Sequence, residues 1–206
     1  MAAVSQTRPR APKRRAYRMV ARAEATAATR ARLLEAAWRQ FSDHPFEEAR
    51  LADVARDAQV SLPTLHSHFG TKDRLFVAAW RWRMTPESAR RDATPAGDVA
   101  AAVQTLYSSY EEDGDAVLRL FSQEDRITAV HEMLNDGRRR HRAWVERTLG
   151  ELVEGSTGAE RERRLVSLVV ATDLLVWKLL RREMELGRET AEQIVTEMVA
   201  RVREGP

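Results

Sequence analysis

The segment SLPTLHSHFGTK, residues 61–72, combines two histidines, a lysine and four hydroxyl side chains in twelve residues. His66 and His68 could in principle bind a metal. On a helix, however, residues i and i+2 point about 200° apart around the axis, so these two side chains diverge. Histidine pairs that bind metal on a helix use i, i+4 spacing. The chain also has no cysteine, which excludes thiolate metal sites and disulfides. We therefore expect no metal and no other cofactor. Two interpretations remain: an ordinary surface turn, or a helix that contacts another molecule.

Local signals predict that this segment is a helix. Ser61 is a favourable N-cap, because its hydroxyl can accept a hydrogen bond from a free backbone N–H of the first turn. Pro63 is then the second helical residue, where no intrahelical hydrogen bond is lost. Leu65 and Phe69 are four residues apart and predict the buried face. Gly70 ends the helix.

The flanking sequence places this helix within a larger unit. Helical spacing predicts a first helix from Thr26 or Thr29 to Ser42, a short helix at Leu51–Ala58 and another helix from Lys72 to about Met84. Two short helices joined by a tight turn form a helix-turn-helix unit. In such units the second helix enters the DNA major groove through its N-terminal residues.

The outward face of the predicted second helix suits DNA. Leu62 and Pro63 would be exposed there, and apolar side chains can contact thymine methyl groups. Polar side chains around them can donate hydrogen bonds to phosphates; they are Thr64, His66, His68 and Lys72.

Three stretches between Arg32 and Phe76, LLEAAWRQF, LADVARDAQVS and LPTLHSHFGTKDRLF, resemble the DNA-binding domain of TetR-family transcriptional repressors. The resemblance implies that the first residues of the recognition helix face bases or the adjacent backbone. Those residues are Leu62, Pro63, Thr64 and His66. It also implies phosphate contacts from Ser67, His68 and Lys72. Ser61, the predicted cap of this helix, is also a candidate for DNA contact.

Four positions depart from the family pattern. Pro45 replaces a frequent glycine. His66 replaces the usual tyrosine. Gln59 stands where the family usually has a turn glycine, so we expect it to adopt a left-handed conformation. Arg50 replaces the usual Ser or Thr cap of the second helix, and we expect it to contact a phosphate.

Charge is unevenly distributed along the chain. Residues 1–23 contain seven basic residues and no acids, residues 24–84 are nearly neutral, and residues 85–206 have a net charge of −5. We expect residues 1–23 to be a disordered basic arm, either merely solvated or bound to a polyanion. In the second case Arg14, Arg15, Arg18 and Arg22 would supply phosphate contacts to the nearly neutral domain at 24–84.

Residues 85–206 are predicted to form a helical ligand-binding and dimerisation domain after a connector at 85–98, with helices at 98–111, 115–123, 126–153, 158–186 and 189–203. The large side chains spaced along these helices and the preceding one could fill a core or line a ligand cavity; they are Trp80, Met84, Tyr107, Tyr110, Phe121, Met133, His141, Trp144 and Trp177. Asp173, inside an apolar run, would need a partner if buried. It is therefore a further ligand-pocket candidate.

The last two helices carry more apolar surface than one neighbour can cover. By the family resemblance they pair with a second copy in a four-helix interface. The candidate contact residues are Leu168, Thr172, Leu175, Leu179, Ile194 and Met198.

Together these features predict an all-α protein of about nine helices. We expect a cytoplasmic homodimer that binds double-stranded DNA at an inverted repeat and responds to a small-molecule effector. We expect neither a signal peptide nor contact with a membrane, since no apolar stretch reaches the ~20 residues of a span. One alternative is an architectural DNA-binding protein without sequence preference. A small helical enzyme is the other, and no catalytic set of residues favours it.

Overall fold

The computed structural model describes residues 12–204, apart from the side chains of residues 12–16, 18, 203 and 204. It contains no strand in this range, which confirms the predicted all-α class. Nine α-helical segments follow one another: α1 Pro12–Asp43, α2 Leu51–Asp57, α3 Leu62–Phe69, α4 Lys72–Asp92, α5 Val99–Phe121, α6 Thr128–Leu149, α7 Gly158–Ala171, α8 Leu174–Lys178 and α9 Arg188–Glu204. A 3₁₀ turn, Gly150–Val153, follows α6, and a π turn, Leu179–Glu183, follows α8.

The first helix is longer than predicted. It begins at Pro12 rather than at Thr26 or Thr29, so the stretch assigned to a disordered arm is helical from residue 12. Proline is favoured at the first helical position, and the alanines and arginines that follow are strong helix formers. Residues 1–11 of the predicted arm lie outside the described residues.

The helix predicted to end near Met84 continues to Asp92, with Pro86 inside it. Two side chains of α6 fix this extension. The indole Nε1 of Trp144 and the guanidinium of Arg147 both donate to the Arg91 carbonyl, at 2.9 and 3.1 Å. The predicted domain boundary after Met84 therefore falls within a continuous helix.

Two further predictions about helix boundaries were wrong. The helices predicted at 98–111 and 115–123 are joined in the single helix α5, and Gly114 in its interior packs closely against Trp177 of α8. Conversely, the helix predicted at 158–186 is broken after Thr172. The Thr172 hydroxyl donates to the Leu168 carbonyl at 2.7 Å, and the Asp173 side chain caps the next helix by accepting from the Leu175 N–H at 2.8 Å.

Two hydrophobic cores are joined along α5 and α6. One lies among α1 to α4 and includes Leu33, Phe41, Leu65 and Phe76, and it continues into Leu120, Ile127, Val130 and Leu134 of the body. The other lies among α5 to α9 around Leu106, Trp177 and Val195. Buried side chains of α5 and α6 therefore belong to the same core as those of α1 to α4.

Replacing Gly114 with Ala should destabilise the fold by about 1–3 kcal/mol, because overpacked cores cost that much. The added Cβ would lie 2.7 Å from ring carbons of Trp177. Gly137→Ala is the matched control, since a Cβ there meets nothing within 4 Å. It should stabilise α6 by up to about 1 kcal/mol through helix propensity. Urea unfolding followed by circular dichroism measures both; equal effects would contradict the close approach.

Candidate functional site

The turn between α2 and α3 has the predicted backbone and cap. Gln59 has φ 56°, which confirms its left-handed conformation. The Ser61 hydroxyl accepts from the Thr64 N–H at 3.3 Å and contacts the Thr64 hydroxyl at 2.8 Å. Leu65 and Phe69 are buried and Gly70 ends the helix with φ 76°, all as predicted. The orientation of α3 is therefore fixed from both ends and from its inner face.

The opposite face of α3 is open to solvent. Leu62, Pro63, His66 and Ser67 are exposed, and Thr64 and His68 are half-buried. Leu62 is one of the large apolar side chains that remain exposed, at 38 %. The predicted contact residues of α3 thus lie on one continuous outer surface.

His66 is held by its own helix end. Its Nδ1 lies 2.8 Å from the Gly70 carbonyl oxygen, and only an N–H can satisfy that acceptor. In the neutral ring Nδ1 therefore carries the proton and Nε2 is left as an acceptor facing outward. A neutral His66 can accept a hydrogen bond from a base, whereas donation to a phosphate requires a second proton on the ring.

Lys72 and Arg50 differ in how free they are to reach DNA. The Lys72 ammonium donates to the Glu47 carbonyl at 3.1 Å and lies 4.8 Å from the centre of the Phe46 ring. Burial lowers the pKa of Lys72. Arg50 is exposed at the start of α2 and makes no side-chain cap. Lys72 thus fixes the α1–α2 loop, whereas Arg50 projects from it.

Two arginines of α1 contact the α2–α3 unit and were not predicted. The Arg30 guanidinium lies over the Phe69 ring at 4.5 Å, and the Arg32 Nε donates to the Ala58 carbonyl at 3.2 Å. Both contacts join residues that are distant in sequence, so no local pattern indicated them. Of the predicted arm residues, Arg22 is exposed on α1, while the side chains of Arg14, Arg15 and Arg18 lie outside the description.

A cavity of about 640 Å³ lies between α4, α5, α6 and the α7–α8 break. Its wall contains eight of the predicted candidates: Trp80, Met84, Tyr110, Phe121, Met133, His141, Trp144 and Asp173. Tyr107 and Trp177 do not line it. The Trp177 indole is fully buried and donates to Glu111 at 2.9 Å, and the Tyr107 hydroxyl faces the Ala191 carbonyl at 3.5 Å. Their large rings fill the second core instead.

The polar end of the cavity is a hydrogen-bonded group around Thr172. The Thr172 hydroxyl donates to Leu168, so at 3.2 Å it accepts from Nε2–H of His141. The other ring nitrogen, Nδ1, then accepts from Arg91 at 3.4 Å. Burial, reinforced by the charge of Arg91, lowers the pKa of His141 to about 4. The ring is neutral at physiological pH.

Five arginines also line the cavity, and each has a carboxylate partner. The pairs are Arg91 with Glu87, Arg138 with Glu124 at 2.5 Å, Arg140 with Asp136 at 3.1 Å, Arg142 with Glu162 at 2.8 Å and Arg147 with Asp92 at 3.2 Å. Asp173 forms no ion pair with any described side chain.

The predicted dimer-contact residues fall into two groups. Leu168 and Thr172 are buried within the chain, so they cannot contact a second copy; the helix break after Thr172 rotates the following residues relative to them. Leu175 and Leu179 are exposed at 52 and 46 %, and Met198 at 38 %, while Ile194 is half-buried. Val166 and Val170 of α7 are also exposed and extend the apolar surface, although they were not predicted.

Two other kinds of site were sought in the described part of the chain. No group of three or more His, Asp or Glu side chains there could hold a metal ion. None of the helices in residues 12–204 is both long and apolar enough to cross a membrane.

A comparison with known protein families gives a match to the helix-turn-helix region. The sequence profile described as "Bacterial regulatory proteins, tetR family" matches residues 33–79, which comprise the C-terminal part of α1, all of α2 and α3 and the start of α4. No curated protein matches the chain in sequence.

Solved structures share the fold over most of the chain. A transcriptional regulator from Rhodococcus sp. RHA1 is 21 % identical with a TM-score of 0.65, over 85 % of this chain and 96 % of that one. A TetR transcription regulator from Haloarcula marismortui has 17 % identity and a TM-score of 0.67, over 84 and 97 %. The multidrug binding protein EbrR, complexed with imidazole, has 20 % identity and a TM-score of 0.57, over 82 and 88 %.

Lowering the pH from 7 to 5 should cost about 2 kcal/mol of unfolding free energy through His141. The folded state keeps this ring neutral down to about pH 4, whereas an unfolded histidine binds a proton below its ordinary value near 6.5. Between these values the unfolded state binds more protons, so stability falls as the pH falls.

His141→Gln keeps a donor and an acceptor at this position and should lose less stability over the same interval. His131→Gln, which alters an exposed ring, is the control and should behave as the parent protein does. Unfolding at both pH values measures the difference. The same loss in the parent protein and in His141→Gln would contradict the assignment.

Proposed function

We propose that this TetR-family transcriptional regulator, identified by the profile match over residues 33–79, is a homodimeric repressor. It would bind an inverted-repeat operator, and a small molecule would release it. The observation that carries the proposal is the arrangement of α3. Its inner face is anchored by Leu65 and Phe69, and its N-terminal residues are presented on an open surface.

Base readout is assigned to the first turns of α3. A helix fits the major groove, where each base pair presents a distinct pattern of donors, acceptors and methyl groups. Leu62 and Pro63 suit thymine methyls, and Thr64 and the outward Nε2 of His66 supply polar contacts. Ser67, His68 and Arg50 are positioned around this face for phosphates. Lys72 contributes mainly through the α1–α2 loop that it holds.

The basic N-terminal residues are assigned an electrostatic role. The domain at 24–84 has nearly balanced charge, so it has few cations to spare for phosphates. The arginines at 14, 15, 18 and 22 precede two α1 residues that contact the α2–α3 unit: Arg30 packs on the Phe69 ring of α3, and Arg32 donates to the Ala58 carbonyl at the end of α2. Because α1 begins at Pro12, its first turns would place these charges along the DNA backbone beside the bases that α3 contacts.

Dimerisation is assigned to the exposed apolar surface of α7, α8 and α9. Five large apolar side chains are exposed in this part of the chain: Val166, Val170, Leu175, Leu179 and Met198. Exposed apolar surface of this kind marks sites of protein–protein contact. Twofold pairing would place two copies of α3 on one face of DNA, and a twofold protein reads a pseudo-palindrome.

The cavity is assigned to the effector. Trp80 and Met84 of its wall belong to α4, the helix that follows the recognition helix directly. Met133 and Leu134 belong at once to the wall and to the core of the DNA-binding half. An effector that binds one arrangement of α4 more tightly than another would change the spacing of the two recognition helices.

Selection of duplexes from a random library tests DNA recognition. We expect an inverted-repeat consensus, because both copies of α3 read the same half-site. Thr64→Ala should reduce affinity for the selected duplex by up to about 3 kcal/mol, and removal of residues 1–22 should lower the salt slope, since each lost phosphate contact lowers it by about 0.9. Equal affinity for random and selected duplexes would refute sequence-specific regulation.

The variant Leu175→Arg should convert the dimer to a monomer, because it places a charge in the centre of the proposed apolar interface. Sedimentation equilibrium measures the change. Val20→Arg alters an exposed apolar residue of α1 and should leave the dimer intact. A dimer that survives both Leu175→Arg and Val170→Arg would place the interface elsewhere.

A further inference from the structure

One carboxylate of the cavity wall, Asp173, forms no ion pair with any described side chain, and its negative charge defines a ligand class. We propose that the cavity binds an organic cation: an apolar or aromatic body carrying a protonated amine or a quaternary ammonium group, with the positive charge at Asp173. The inference rests on the proposal that this cavity is the effector site.

Asp173 presents a carboxylate that its structural role does not exhaust. One oxygen, Oδ1, caps α8 by accepting from the Leu175 N–H at 2.8 Å. No lysine or arginine among the described side chains forms an ion pair with this carboxylate. Arg138 is near enough for Asp173 to act on its charge, but its guanidinium already holds both oxygens of Glu124, at 2.5 and 2.6 Å.

Each lining arginine contacts a carboxylate, although Arg140 shares Asp136 with Arg139, and the ring of His141 is neutral. The other two carboxylates of the wall, Glu87 and Asp92, are paired with Arg91 and Arg147. An anionic ligand would have to compete with the carboxylate that each arginine already contacts. A neutral ligand would shield the Asp173 carboxylate from water without replacing that hydration, which is costly for a charge. A cation is the one ligand class that compensates the charge it covers.

Aromatic rings next to the carboxylate favour the same class. A cation over a Trp or Tyr face is attracted by the ring quadrupole. The Trp144 and Phe121 faces are occupied by Arg91 and Arg138, at 5.4 and 5.6 Å. Trp80 and Tyr110 also line the cavity, and no described cation lies over either ring.

Tyr110 is fixed beside Asp173 in particular. Its hydroxyl donates at 2.9 Å to the carbonyl of Thr172, the residue that precedes Asp173. Met84, Met133 and Leu134 are among the apolar residues of the wall. A volume of about 640 Å³ lies within the range of sites for drug-sized molecules. The cavity thus has room for a ring system attached to the cationic group.

Three probes that share a naphthylmethyl group and differ in charge test the charge preference on the intact protein without DNA. They are (2-naphthylmethyl)trimethylammonium, 2-naphthylmethanol and 2-naphthylacetate, titrated at low salt with quenching of tryptophan fluorescence or calorimetry as the readout. We expect the cation to bind at least tenfold more tightly than the neutral alcohol, and the anion to bind most weakly.

The variant Asp173→Asn isolates the charge, because asparagine caps helices about as well as aspartate does and the Leu175 N–H keeps its acceptor. In this variant the preference for the cation should fall to about twofold or less. Asp92→Asn, which removes a wall carboxylate already paired with Arg147, is the matched control and should keep the preference.

Tightest binding of the anion, equal binding of all three probes, no binding of any of them, or a cation preference that survives Asp173→Asn would each overturn the proposal. None of these outcomes bears on DNA recognition, which the duplex selection tests separately. A cation that binds through Asp173 without changing affinity for the selected duplex would uphold the ligand class and refute the effector role.

Discussion

Three phenylalanine rings, from α1, the α1–α2 loop and α4, pack against one another, and the position of the recognition helix depends on that contact. Phe41 and Phe76 meet edge to face at 5.1 Å, and Phe46 and Phe76 at 5.2 Å. Such aromatic contacts are directional as well as apolar. They hold α1 and α4 together as a rigid support. The α2–α3 unit, too small to be stable alone, buries Val54 and Leu65 against it.

The same support is bonded to the body by two hydrogen bonds from the end of α5. The buried Gln123 side chain accepts from the Phe46 N–H at 2.7 Å, and the Arg119 Nε donates to the Ser42 carbonyl at 2.7 Å. A buried amide that lost this partner would cost about 1–3 kcal/mol. Phe121, which lies between Arg119 and Gln123 in sequence, lines the cavity. A change in cavity shape can therefore displace the α1–α2 loop as well as α4. Two routes from one cavity would make the DNA-binding half respond as a unit.

The break after Thr172 divides one long apolar segment between two tasks. Before the break, Leu168 and Thr172 face the interior, where Thr172 orients His141. After it, Leu174 and Trp177 face inward while Leu175 and Leu179 face solvent. A continuous helix would have kept the register of α7, and Asp173 would have lain in a helix interior. The break makes this residue both the cap of α8 and a lining residue of the cavity.

The sequence alone determined the helix-turn-helix and its register, because these depend on neighbours within about one turn. The Ser61 cap, the placement of Pro63, the left-handed Gln59 and the buried pair Leu65 and Phe69 are local consequences of backbone geometry and apolar spacing. The all-α class followed from the same periodicity. Seven of the predicted pocket residues line the cavity because apolar spacing on α4, α5 and α6 selects inward faces.

Only the tertiary structure decided which inward residues line a cavity and which fill a core, since Tyr107 and Trp177 have the same spacing as Tyr110 and Trp144 and differ only in what packs against them. It also decided where helices continue or break. The extension of α4 depends on donors from Trp144 and Arg147, more than fifty residues away, and the close packing of α5 on α8 depends on the space that Gly114 leaves for an indole. The pairing of every cavity arginine, and the single carboxylate left over, came from contacts between helices. Spacing along one helix fixes a direction, whereas the partner found in that direction belongs to the fold.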